Sequence, residues 1–119
     1  MSIKVSYIYS ACVILETKDM KVLCDPWFTE GIYDGSWYHF PDVKNPIDLI
    51  GKVDFIYVSH IHPDHYDPLF IKEYFESFGK TKIIISNHNP NYLLLKMRSD
   101  GFEPIIIEEE RGLKLGETL

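Results

Sequence analysis

A chain of 119 residues is long enough for one folded domain and too short for two. A hydrophobic share of 45%, with 14% aromatic residues, excludes a disordered chain, and a formal net charge of −6 without a basic stripe argues against a nucleic-acid partner. Two cysteines, Cys12 and Cys24, are too few for a disulfide framework and read as reduced core thiols. The absence of a charged-then-apolar leader and of any long apolar run gives a cytoplasmic expectation with no membrane partner.

Ile3, Val5 and Tyr7 alternate with Lys4 and Ser6 and predict a half-buried first strand. Ala11 to Leu15 predicts a second strand, joined through Lys18-Asp19 as a hairpin to a third, Lys21 to Cys24. Asp25 ends this strand, and Pro26 stops the ladder. From Trp27 to Pro46 the chain is expected to be irregular and dense in aromatic residues. Trp27, Phe28, Trp37 and Tyr38 can form a substrate-contacting wall or simply cover the end of the sheet, and His39 is expected at the surface.

Ile47 to Ile50 fits one helical turn, and the apolar run Val53 to Val58 fits a buried strand. Asp67-Pro68 is a cap followed by proline at the first helical position. Behind it Leu69, Phe70, Tyr74, Phe75 and Phe78 form an apolar face that Gly79 ends. Ile83 to Ile85 is a short buried strand. Asn89-Pro90 is expected to open a helix carrying Tyr92, Leu93, Leu95 and Met97, which Gly101 closes. Ile105 to Ile107 is another strand, Glu108 to Glu110 a solvated turn, and a last strand begins at Leu113.

Between the buried strand and the helix lies Ser59-His60-Ile61-His62-Pro63-Asp64-His65. His60 and His62 are two apart on an extended segment, so both rings can meet one cation while Ile61 turns inward. Asp64 and His65 follow as the chain turns and can face a second cation a few ångströms away. Four donors are too few for two metals, since a catalytic zinc takes three protein ligands and a water, so further ligands must arrive from elsewhere.

This motif resembles the signature of the metallo-β-lactamase fold superfamily, and Asp25 matches that family's upstream aspartate. The stretch Val22 to Phe28, with Gly31, Gly35, Ser36 and Trp37 after it, is similar to the branch holding ascorbate-6-phosphate lactonase-like proteins and CMP-sialic acid hydroxylase. The resemblance implies an α/β (α+β) fold that is half of an αββα sandwich, a mixed sheet with helices on one face, with residues 1–119 as the N-terminal half of the domain. It implies two divalent metal ions, zinc first with iron or manganese as alternatives. His60, His62, Asp64 and His65 would be ligands, Asp64 the catalytic carboxylate, and Asp25 the residue that orients an imidazole. The family's later ligands lie in the second half, and only His88 follows the motif here, in a place where the family has no ligand.

The activity implied is hydrolysis of a small ester, lactone or phosphoester by a metal-bound hydroxide. Two alternatives are a di-iron oxygenase similar to the sialic acid hydroxylase and a non-catalytic half-domain that oligomerises. A half sandwich leaves the inner sheet face bare, so the expected partners are a small-molecule substrate and a cover for that face. The C-terminal half, a second copy of the chain or another protein could supply the cover.

Overall fold

The computed structural model describes residues 2–108. Six strands form one sheet in the order β1 (Lys4–Tyr9), β2 (Cys12–Glu16), β3 (Lys21–Cys24), β4 (Phe55–Val58), β5 (Lys82–Ser86) and β6 (Ile105–Ile107). The first three strands are antiparallel, and β3 to β6 run parallel, so the sheet is mixed. Between β3 and β4 lie a four-residue turn of helix, α1 (Ile32–Gly35), whose Tyr33 and Asp34 are left-handed, and α2 (Pro46–Ile50). Helix α3 (Pro68–Phe78) crosses from β4 to β5, and α4 (Tyr92–Ser99) from β5 to β6.

Register assigns the two faces. Ile14, Leu23, Ile56 and Ile83 are cross-strand partners in one row, with Val58 and Ile85 partnered beside them. They share a buried cluster with Ile50 of α2, Phe70, Ile71 and Tyr74 of α3, and Leu93 and Met97 of α4. The helices therefore cover this one face, as expected. Burying an aliphatic side chain here contributes about 1.5–3 kcal/mol. Tyr74 is fully buried and adds two bonds: its hydroxyl donates to Gly51 O at 2.8 Å and accepts from Val53 N at 2.9 Å, fixing the segment that enters β4.

The opposite row carries Val5, Leu15, Val22 and Phe55, and next to it Tyr7, Val13, Cys24, Tyr57 and Ile84. Here the expectation of a half-buried first strand is corrected: Ile3, Val5 and Tyr7 are 47%, 61% and 69% exposed. Their alternation is genuine, but it points to the sheet face that no helix among the described residues covers, while Ile8 leans on the core. Helix α4 is capped by Asn91, whose side chain accepts from Leu94 N at 3.1 Å, and so begins beyond the expected Asn89-Pro90. On α3 the inward face uses Ile71, and Leu69 and Phe78 are exposed. Both cysteines are free thiols. The strand expected from Leu113, and the acidic run beyond Glu108, lie outside the described residues.

Candidate metal centre

Parallel strands β3 and β4 end side by side, which delivers Asp25 and the loop 59–67 to the same sheet edge. Asp25 adopts a left-handed φ of 47°, a conformation that aspartate tolerates, and its amide donates to Tyr57 O at 2.8 Å. The carboxylate is buried and used fully. Oδ1 accepts from Ser59 N at 2.7 Å, and Oδ2 accepts from Ser59 Oγ at 2.7 Å and faces His65 Nδ1 at 2.8 Å.

This network sets proton positions by elimination. A carboxylate only accepts, so His65 Nδ1 carries the hydrogen and Nε2 is left for a cation. Ser59 Oγ spends its proton on Asp25, so it accepts from His60 Nδ1 at 2.9 Å, and the Nε2 lone pair of His60 is freed as well. Ser59 was not among the expected site residues. A hydroxyl between a buried strand and a histidine is common in sequences, and its role depends on Asp25 arriving from a separate strand.

The three imidazoles converge: His60 lies 3.9 Å, ring centre to ring centre, from His65 and 4.7 Å from His62. Desolvation, then the neighbouring His65 and His62, hold the His60 pKa below the ordinary histidine value, which favours the neutral ligand form. Asp64 Oδ2 is 3.4 Å from His65 Nε2, and Asp64 Oδ1 accepts from the Tyr33 hydroxyl at 2.9 Å. The phenol is raised by desolvation and then by Asp64. A carboxylate oxygen facing an imidazole nitrogen at this distance suits a hydrogen on Nε2 or a shared cation, so the pair is compatible with a divalent metal without requiring one. Among the described residues, no three such donors are arranged as one coordination shell. His60 touches both neighbouring rings, so the expected division into two separate ligand pairs is not visible in the ring contacts. Ile61 is 39% exposed and does not turn inward.

The aromatic segment divides. Trp27 is 4% exposed and packs at 4.0 Å, ring centre to ring centre, on His39; Phe28 lies 4.7 Å from Phe70 against the core. Trp27 is therefore closed off from solvent, while Phe28 is only partly buried. Trp37 and Tyr38 are exposed, and Trp37 lies 4.7 Å from Tyr33. The expectation of a surface His39 is overturned, because its ring is 3% exposed. His88 directs Nε2 to Ser59 O at 3.2 Å, beside the motif loop. Asp67 is buried and joins the two loops: it accepts from Phe28 N at 2.9 Å, Thr29 N at 2.8 Å, Thr29 Oγ at 2.7 Å and, as the cap of α3, Phe70 N at 3.1 Å.

Residues 4–117 match the model of the beta-lactamase superfamily domain. The chain belongs to this family. The isothiocyanate hydrolase from Delia radicum gut bacteria superposes with a TM-score of 0.68 at 19% identity, covering 93% of this chain and 43% of that one. A metallo hydrolase from the archaeon Ignicoccus hospitalis superposes with a TM-score of 0.55 at 23% identity, covering 95% of this chain and 42% of the other. Both have the same fold. The cytidine monophosphate-N-acetylneuraminic acid hydroxylase of Danio rerio is 34% identical over 65 residues, which is 53% of this chain and 11% of the hydroxylase. The beta-lactamase superfamily chain thus spans less than half the length of each of these proteins. No helix among its described residues is long and apolar enough to cross a membrane.

Proposed function

We propose that this chain supplies the histidine-rich half of a metal-dependent hydrolytic centre acting on a small ester, lactone or phosphoester. One observation carries the reading: a single buried carboxylate, Asp25, engages Nδ1 of His65 directly and Nδ1 of His60 through Ser59, which leaves both Nε2 atoms as the candidate metal donors. Divalent metals at such donors acidify water and polarise a carbonyl or phosphoryl oxygen, zinc being the first candidate and iron or manganese the alternatives. His60 and His62 would hold one ion, and Asp64 and His65 the other. Asp64 is the carboxylate able to orient the attacking water, and Tyr33 steadies its other oxygen. The remaining donors come from a C-terminal half, which would also cover the sheet face bearing Val5, Tyr7, Leu15 and Phe55.

The test is metal content measured with hydrolysis in the protein bearing both halves. His60→Ala with His62→Ala should abolish bound metal and turnover together, whereas stoichiometric metal in the double variant would sink the assignment. The hydroxylase relative supports a second reading, a di-iron oxygenase on the same donors. Elemental analysis of protein from metal-unbiased medium, with oxygen uptake, separates the two: iron with uptake favours the oxygenase, and zinc without it the hydrolase.

A further inference from the structure

The segment between β3 and α2 is tied shut by a pair that the hydrolytic reading does not use. His39 N donates to Glu30 Oε2 at 2.9 Å, His39 Nδ1 meets Glu30 Oε1, and His39 Nε2 meets Trp27 O at 2.9 Å. One ring nitrogen faces the Trp27 carbonyl and the other a Glu30 carboxyl oxygen, so the ring is gripped on both sides. Burial alone would raise the Glu30 carboxyl, and the bonds and charge of His39 outweigh it and bring it down. The ring sits between Trp27 at 4.0 Å and Tyr9 at 4.6 Å, and the Tyr9 hydroxyl donates to Phe40 O and accepts from Phe40 N, each at 2.6 Å.

Closing residue 30 on residue 39 forces the intervening chain into a tight loop. Gly31, at φ 77°, donates to Trp37 O at 2.9 Å, and Ile32 bridges to Trp37. The apex then presents Tyr33 and Trp37 ring to ring at 4.7 Å, both partly exposed, with the Tyr33 hydroxyl on Asp64. The only described link between this apex and the motif loop is that phenol–carboxylate bond, so its placement depends on the loop's base.

We infer that Glu30 and His39 are positioning residues: a clasp that holds the Tyr33–Trp37 pair beside Asp64 as a fixed platform for an aromatic or other apolar part of the substrate. That the platform serves a substrate rests on the proposed hydrolytic reading, while the clasp and the platform do not. Glu30 is exposed enough for Glu30→Gln to fold, and His39→Phe keeps the ring bulk while removing both ring bonds.

In isotope-labelled protein, Glu30→Gln should move the amide signals of Tyr33, Trp37 and Asp64 together. Titration with 4-nitrophenol should shift the Trp37 indole signal, and Glu30→Gln, His39→Phe and Trp37→Ala should each weaken that binding about five-fold, as expected for loss of one oriented ring contact. Unmoved Tyr33 and Asp64 signals in both clasp variants, or 4-nitrophenol leaving Trp37 undisturbed, would overturn the inference. Intact 4-nitrophenol binding in a metal-loaded protein that hydrolyses nothing would instead count against the hydrolytic reading alone.

Discussion

Asp25 concentrates three hydrogen bonds, to Ser59 N, Ser59 Oγ and His65 Nδ1, in one buried side chain. Carboxylates bonded to metal-binding imidazoles orient the rings and raise their basicity, so on the proposed reading Asp25→Ala should weaken affinity for added zinc by about 10–100-fold in a chelator competition, with the fold intact by circular dichroism. An unchanged affinity would show that the imidazoles orient themselves. Next to it, Cys24 is pushed up to about 11 by burial and then by the Asp25 charge. At pH 8 only about one thiolate in a thousand is present, so iodoacetamide should label Cys24 slowly, with a rate that climbs as pH rises toward 11. Fast labelling at pH 7 would contradict the burial seen here.

At the scale of elements, α3 is joined to the aromatic segment through Asp67, which serves as cap and as anchor for Phe28 and Thr29 at once. Asp67→Ala removes a cap and strands buried donors, so denaturant unfolding should report a loss of about 2–4 kcal/mol, well above that of an ordinary capping residue. Helix α4 is tied through Asp100, which accepts from the Tyr66 hydroxyl at 2.6 Å and from Lys96 Nζ at 2.7 Å. Burial works to raise this carboxyl, and the bonds from Lys96 and Tyr66 outweigh it, so its folded pKa lies below the ordinary value. The stability it contributes is therefore present above the unfolded carboxylate pKa and is lost as pH falls through the folded one. Thermal midpoints followed from pH 6 downward should drop in the wild type, and less steeply in Asp100→Asn.

For the molecule as a whole, the decisive feature is that, among the described residues, helices pack on one side of the sheet. Val5, Tyr7, Val13, Leu15, Phe55 and Tyr57 lie on the face without helices, with Val5 and Tyr7 well exposed. Apolar surface of this extent is uncommon on soluble monomers. The 119-residue chain by itself should therefore scatter light as a species heavier than 13.9 kDa, and Val5→Lys with Tyr7→Lys should return it toward monomer. A wild-type monomer in that measurement would mean that the face is covered in some other way.

Much of the fold was legible in the residues. The apolar run into β4, the Asp67-Pro68 start and Gly79 stop of α3, and the isoleucine runs of β5 and β6 each carry a local periodicity or cap that admits few alternatives. The strand–histidine motif also carried the resemblance to the family. Three things required the folded chain: which side of β1 faces solvent, the partnership of Ser59 with Asp25, and the burial of His39. In each case the deciding contact comes from elsewhere in the chain: the helices that pack on the other face of the sheet from β1, Asp25 meeting Ser59 across adjacent strand ends, and His39 meeting Tyr9 through ring packing. Local pattern states what a segment prefers to become. Which partner satisfies its polar atoms, and which face is left without cover, is settled only when distant strands are brought into register.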